Sequence, residues 1–409
     1  MATQTLSNIS GMLKTMYIGP IRDQLNNSTV LFNRLEKNEE DVSGEDLTAK
    51  IPLFYERNQG IGWRSEGGTL PTAGRRKHQK TNVVMAYLYG QIRVSGQAIR
   101  GSRNSATAFA KVVTNEVKGM VEGLKIEVNR AMWGDGSGAM AKITQATGSI
   151  TTGSYLTVDD ASRLEPGMIF DTYAAKTGGS VVLDSKTISD VDILNNKITL
   201  STTETVTQND FIFREDSRGL LMMGIEGIVD GLDSTSTRQI LTTLQGINRS
   251  TAGNRFWDAN VIDNAAVNTA LTTTDIQRAF ELAEYLAQGK CSIIMSGYTL
   301  RRKYFDIMAA DKRYVTTLKL DGGWSALEYT GGAQPVPWVA ERMAIANDVY
   351  FLDERTFAIY RAADFDWMDL DGAVLRKVAD KDEYEGTAYS YMNLGCNAAN
   401  KNTVLRDRN

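Results

Sequence analysis

The chain runs to 409 residues, more than a single hydrophobic core organises, so two or three packed units are expected. Hydrophobic residues make up 42% and charged residues 23%, the balance of a soluble globular protein, and no apolar run reaches the roughly eighteen residues a membrane helix needs. The net charge of −4 argues against a dedicated nucleic-acid binder, which has to be basic to neutralise phosphates.

From Met1 to about Lys50 no dense apolar core is visible. The opening residues, Met1 to Ser7, lack a secretory leader's charged-then-apolar layout, so the chain is expected to remain in the compartment of its synthesis. Leu25, Val30, Leu31 and Leu35 form a helix-spaced stripe ahead of an acidic turn, Glu39 to Gly44. Such an arm buries too little to hold itself and is expected to lie on something else. Two strands are expected next, at 51–55 and 83–94, around a strand-poor stretch from Asn58 to Asn82. That stretch holds Gly60, Gly62, Gly67, Gly68 and Gly74 and the basic run Arg75, Arg76, Lys77, His78 and Lys80. Structureless loops of this length are uncommon in compact domains and usually have a task. A lid, a disordered tag and an arm toward a neighbouring subunit all fit, and the arm is the favoured reading.

The periodicity predicts one long amphipathic helix over 105–133. Phe109, Val113, Val117, Met120, Leu124, Val128 and Ala131 recur at steps of three and four and share a face. At 1.5 Å per residue the helix is about 40 Å long, and the glycine-rich run from Gly134 to Gly138 stops it. From Ile150 to Phe213 the composition turns to Thr, Val and Ile in short alternating runs between turn residues, the pattern of a small all-β unit. Beyond Gly219 the chain is mixed. Thr274 is read as a helix cap, with Gln277 completing a capping box and Ile276, Phe280, Ala283 and Ala287 as the apolar face. A strand at 292–295, a helix from Tyr298 to Met308, and strands at 349–352, 357–360 and 388–396 come after it.

The pattern offers little catalytic chemistry. His78 is the sole histidine and lies in a basic loop without a nucleophile motif, so it reads as solvated. Cys291 and Cys396 sit in apolar, strand-like stretches and read as buried, reduced thiols. One histidine and two distant cysteines cannot make a zinc motif. The run Asp364 to Gly372 is no calcium loop, because counting back from Gly372 puts Trp367 where the first aspartate belongs. It reads as an alternating strand with one acidic face. The basic run at 75–80 suits a solvated tip, a patch for acids on a neighbour, or contact with DNA.

The order of parts carries the strongest signal: an arm, a long hairpin, a long helix, a mixed α/β domain and a returning strand. Locally, Asn58-Gln59-Gly60-Ile61-Gly62 and Glu66-Gly67-Gly68-Thr69-Leu70-Pro71 are similar to the E-loop of phage capsid proteins. The stretch from Asn104 to Phe109 through Asn129 to Gly136 is similar to their spine helix and its end. Nearly the whole chain thus resembles a major capsid protein of a tailed bacteriophage. The resemblance implies an α+β, HK97-like capsid fold: N-terminal arm 1–50, E-loop hairpin 51–94, P-domain with spine helix 95–146, A-domain 215–380 and a closing P-domain strand 381–409. The small all-β domain is inserted at 147–214.

The same resemblance implies a structural protein and not an enzyme, with no cofactor and no metal. It self-assembles as hexamers and pentamers into an icosahedral shell around double-stranded DNA, in the virion, after assembly in the bacterial host cytoplasm. Implied partners are further copies of the chain, a separate scaffolding protein and a portal, with a decoration protein left open; DNA is met only by non-specific contact and no membrane is involved. Asn58, Arg64, Glu66, Leu70, Arg75, Arg76, Lys77 and Lys80 are the expected inter-subunit contacts. Some relatives crosslink an E-loop lysine to a neighbour's asparagine. Lys77 or Lys80 with Asn393 or Asn397 would be the pair here, although non-covalent assembly is favoured. An encapsulin-like compartment and an enzyme with a long active-site lid are the alternatives.

Overall fold

Val349–Leu352 form an unbroken apolar run, the pattern of a strand covered on both faces. In the computed structural model this strand lies within a seven-stranded sheet. The order is Asn260–Ile262, Thr403–Leu405, Val349–Leu352, Ile293–Ser296, Val336–Ala340, Ser325–Tyr329, Thr317–Lys319. The structure describes residues 30–39, 42–43, 46–97, 106–231, 241–265, 267–310, 317–319, 325–331, 334–369 and 374–409. The expected arm before Val30, Leu25 included, lies outside them.

Among the described residues, three long helices frame the molecule: α1 (Ala106–Met132), α2 (Thr273–Ala287) and α3 (Tyr298–Ala310). One face of the seven-stranded sheet meets α2 and α3, where Ile276, Ala279, Leu300 and Tyr304 pack with Ile294, Trp338 and Phe351. The other face contributes Ile293, Met295, Tyr350 and Leu352 to the main core. The cap of α2 is Thr272 and not Thr274. Its hydroxyl oxygen accepts from the Asp275 N–H at 3.1 Å and its O–H donates to the Asp275 carboxylate at 2.8 Å. Three consecutive threonines offer the same signal, and the acid three residues on selects the first. Gln277 instead reaches the Gly331 carbonyl at 3.0 Å.

Along α1, Val117, Val121, Leu124, Val128 and Met132 are buried and Met120 is half-buried. The side chains of Phe109 and Val113 lie outside the described residues. The helix rests on a five-stranded sheet. Its central strand, Glu383–Cys396, pairs with Ala86–Ser95 on one side and Phe357–Trp367 on the other. Glycine is required where the two layers meet, since a Cβ on Gly90 would come within 3.0 Å of Met120. At the helix end, buried Trp133 meets Tyr350 edge-on at 5.5 Å, joining the two sheets through one core.

The arm enters this core. Val30, Leu31 and Phe32 on a single helical turn are buried there, and the Arg34 guanidinium donates to both carboxylate oxygens of Glu354. Glu36–Asn38 then adds a parallel strand beside Phe357–Trp367.

Several boundaries differ from expectation. The run at 83–94 is two strands. Lys77–Val84 pairs with Thr48–Glu56, whereas Ala86–Ser95 belongs to the sheet under α1. The break is Met85, buried, with its N–H donated to the Leu47 carbonyl at 3.1 Å; an unbroken apolar run conceals it. Phe357–Trp367, expected inside the 215–380 unit, pairs with Glu383–Cys396. Thr403–Leu405, expected with that closing strand, inserts into the seven-stranded sheet. The Asp364 and Asp366 side chains are half-exposed beside buried Phe365 and Trp367, as strand alternation requires.

The β-rich insert begins at Ala139, earlier than 147. Six antiparallel strands run in the order Ala139–Lys142, Phe211–Arg214, Ile169–Tyr173, Val181–Asp192, Lys197–Leu200, Tyr155–Thr157. A bridge between Ile143 and Val158, with the Thr144 N–H donated to the Thr157 carbonyl at 3.1 Å, brings the last strand back to the first. The unit is therefore a closed barrel around Ile143, Leu156, Phe170, Ile188, Ile198 and Ile212.

Candidate assembly interface

The hairpin Thr48–Glu56/Lys77–Val84 changes character along its length. Near the body Ala49, Ile51, Leu53, Thr81 and Val83 are buried while their alternates face solvent. The alternation ends at Phe54, where the register shifts before Glu56. Tyr55 still stacks on Phe256 at 4.2 Å, and the Asn82 N–H donates to the Gln245 carbonyl at 2.9 Å. Past this point none of the described residues covers the hairpin, and every residue from Ile61 to Leu70 is exposed.

The tip holds its shape without a core. Asn58 Oδ1 accepts from the Gly60 N–H at 2.8 Å, and Arg64 donates to the Thr69 carbonyl at 2.9 Å and the Trp63 carbonyl at 2.9 Å. Gly67 turns the chain with φ 70, in the left-handed region. The two sides of the loop nearly touch at Gly60, where a Cβ would come within 2.7 Å of the Gly74 nitrogen. This frame presents Ile61, Trp63 and Leu70 outward at 76%, 99% and 81% exposure.

The expected contact residues Asn58, Arg64, Glu66, Leu70, Arg75, Arg76, Lys77 and Lys80 are all exposed on this hairpin. They do not act alike. Asn58 and Arg64 shape the tip. Lys77, which with His78 and Lys80 lies in a strand and not in a loop, pairs with Glu56 at 2.5 Å. That hydrogen bond, with the carboxylate's charge, lifts the Lys77 pKa above its ordinary value. The Arg76 guanidinium sits over the Phe54 ring at 4.2 Å. Trp63, the most exposed of these three apolar side chains, is not among the residues expected from the sequence. Its signal is a large aromatic in a polar, glycine-rich stretch.

Of the two asparagines, Asn393 is engaged within its own chain. Its amide nitrogen donates to the Val84 carbonyl at 2.6 Å, and its oxygen accepts from the Met223 and Leu394 N–H groups, each at 2.8 Å. Asn397 is exposed. A second unforeseen feature is a tyrosine cluster. Tyr87, Tyr389 and Tyr391 lie 4.9 and 5.1 Å apart around Tyr391, and the Tyr89 hydroxyl is 3.4 Å from that of Tyr391. That hydrogen bond, then burial, pushes the Tyr391 pKa up to about 12.

No family model matches the sequence and no curated protein matches it. Among solved structures the chain is similar to the cyanophage A-1(L) capsid asymmetric unit. The TM-score is 0.52 at 13% identity, covering 100% of this chain and 95% of that one. The chain has the HK97-like capsid fold. The capsid of a native GTA particle aligns at a TM-score of 0.47 with 11% identity, covering 94% of this chain and 91% of that one. The SrpI encapsulin complex from Synechococcus elongatus PCC 7942 aligns at 0.42 with 8% identity, covering 100% and 92%. In chain order the hairpin precedes α1, and the barrel strands lie between α1 and the seven-stranded sheet. Among the described residues, no helix is long and apolar enough to cross a membrane.

Proposed function

We propose that this chain is the major capsid protein of a tailed phage, assembling as hexamers and pentamers into an icosahedral shell around double-stranded DNA. The observation that carries the reading is the hairpin tip: an ordered loop that displays Ile61, Trp63 and Leu70 to solvent has no use for them in its own subunit. Covering such side chains on a neighbour is worth about 25 cal/mol for each Å² buried. Many such contacts, each weak, add up over a closed shell. The role is structural. The cations at Arg75, Arg76 and Lys80 suit acids on the neighbour, and any contact with DNA is non-specific. A separate scaffolding protein and a portal complete the assembly in the host cytoplasm.

Negative-stain electron microscopy of the purified protein, expressed with and without its neighbouring genes, tests this. Uniform hollow particles, or hexamers and pentamers, are expected. A monomer or dimer under every condition would overturn the reading, and particles filled with a cargo protein would point to an encapsulin.

A further inference from the structure

Turns are normally polar, but the turn between the barrel strands Val181–Asp192 and Lys197–Leu200 is not. It carries Ile193 and Leu194 outward at 44% and 95% exposure. Among the described large apolar side chains only Trp63 is more exposed. The turn is built to hold them there. The Asp192 carboxylate accepts from the Asn195 backbone N–H at 3.2 Å and from its side-chain amide at 2.7 Å. Asn196, left-handed at φ 52, ties the turn to the barrel. Its carbonyl accepts from the Val158 N–H at 3.0 Å and its Oδ1 from the Ala161 N–H at 3.1 Å. Asp159 and Asp160, between those two donors, join Asp190 and Asp192 around the turn. Lys197, the cation in the adjoining strand, lies over the Tyr155 ring at 5.4 Å. The tip is therefore apolar with acidic flanks.

A second exposed surface has the opposite charge. At the root of the hairpin a cavity of about 810 Å³ lies between the hairpin and the C-terminal end of α2. Phe54, which is 57% exposed, gives it an apolar wall with Tyr55 and Phe256. Arg57, Arg76 and Lys401 line it with positive charge. Among the described residues its one lining carboxylate is Glu56, already paired with Lys77.

We propose that the barrel turn of one copy, residues 190–195, seats in this cavity of a second copy. Ile193 and Leu194 meet Phe54 and Tyr55, and Asp190 faces Arg57 and Arg76. The inference rests on the shell reading and names one contact that shell needs. Leu194, at 95% exposure, is not seated in its own chain's cavity, so the occupant comes from another copy. Tip and cavity are different surfaces, so each copy gives one and receives one, and a repeated rotation closes a ring. Opposite charges steer the encounter and fix its register. The turn is ordered beforehand and loses little freedom on docking.

The test is disulfide trapping in purified particles carrying Leu194→Cys and Asn400→Cys, the second of which lines the cavity. Cys291 and Cys396 can stay, because burial pushes both thiols well above their ordinary pKa. Mild oxidation should give a reducible ladder of covalent oligomers up to the hexamer, and Leu194→Cys with Tyr285→Cys should give none. Particles without a ladder overturn the contact and leave the shell reading standing. Absence of particles from the parent chain under every condition overturns both. An intramolecular crosslink seats the turn in its own chain, and a ladder from Trp63→Cys with Asn400→Cys seats a hairpin tip in the cavity; either overturns the proposal. Independently, Asp190→Arg should leave the subunit's melting temperature unchanged and cut particle yield at least tenfold, and adding Arg57→Asp should restore it. Full yield from Asp190→Arg, or a loss without rescue, overturns the pairing. This charge swap decides the case in which the cysteines themselves block assembly.

Discussion

Lys176, on the barrel, places its ammonium nitrogen 2.5 Å from the carboxylate of Asp135, in the turn that ends α1. Glu226 lies 3.9 Å from the same ammonium. Both partners are largely buried, at 17% and 9% side-chain exposure. Beside them Arg218 donates to the carbonyls of Ala175, Lys176 and Gly178 and lies 4.0 Å over the Tyr173 ring. A short polar seam thus fixes the barrel to the helix.

Breaking that seam should be costly. Lys176→Met leaves Asp135 and Glu226 buried without their cation, and a loss of about 3–5 kcal/mol at pH 7 is expected. Burial alone would raise the Asp135 pKa, but Lys176 and Ser137 outweigh it and hold it below the ordinary 3.8. Burial would lower the Lys176 pKa, but Glu226 and Asp135 hold it above the ordinary 10.5. The depressed acid stabilises above its unfolded pKa and loses that contribution as pH falls through the folded value. The raised amine stabilises below its unfolded pKa and loses it as pH rises through the folded value. Urea melts of both proteins across pH should therefore show the largest gap between about pH 4 and 10. A gap that persists undiminished at pH 2 would refute the assignment.

The hairpin tip should separate folding from assembly. Ile61→Ser, Trp63→Ser and Leu70→Ser together should change subunit stability by less than about 0.5 kcal/mol, as exposed positions do. Shell yield, counted by electron microscopy or light scattering, should collapse. Normal shells from the triple variant would remove the tip from the interface.

Gly395 lies in the central strand of the sheet under α1. A Cβ there would collide with the Tyr360 ring and come within 3.1 Å of Val83. Gly395→Ala should cost about 1–3 kcal/mol by overpacking, read as a lower denaturation midpoint with an unchanged slope. Gly119→Ala, whose Cβ would meet no atom of the described residues within 4 Å, is the matched control and should be neutral or slightly stabilising.

The barrel should stand alone. Its first and last strands are neighbours, with Phe213 beside Ala139, so the cut ends lie together. A fragment of residues 139–214 should melt cooperatively and protect the amides of Ile188 and Ile212 from exchange. A fragment without a cooperative transition would mean that the Lys176 seam is needed for the barrel to fold.

Patterns contained within one element are legible in the amino-acid order alone. The three- and four-residue steps from Val117 to Val128 announce α1, and the Thr/Val/Ile runs announce the barrel strands. Features set by partners distant in sequence are not. Nothing near Met85 marks a change of sheet, because both strands around it are apolar and only their pairing differs. Thr403–Leu405 is too short to signal a strand and exists because Asn260–Ile262 and Val349–Leu352 leave a gap between them. On the hairpin, charge draws attention to Arg75 through Lys80, although Lys77 is already engaged with Glu56. The side chain with most to gain from a partner, Trp63, escapes notice because a lone aromatic has no periodicity.

The closure of the barrel also sets an order of events. All its strand pairs lie between Ala139 and Arg214, so it can be complete while the rest of the chain is still leaving the ribosome. The strand Ala86–Ser95, made earlier, must wait for Glu383–Cys396 before it has a neighbour. Through that interval an exposed strand edge and the apolar face of α1 lack their cover. The newborn subunit is therefore most vulnerable to misassociation in the part synthesised first, with the later barrel already finished.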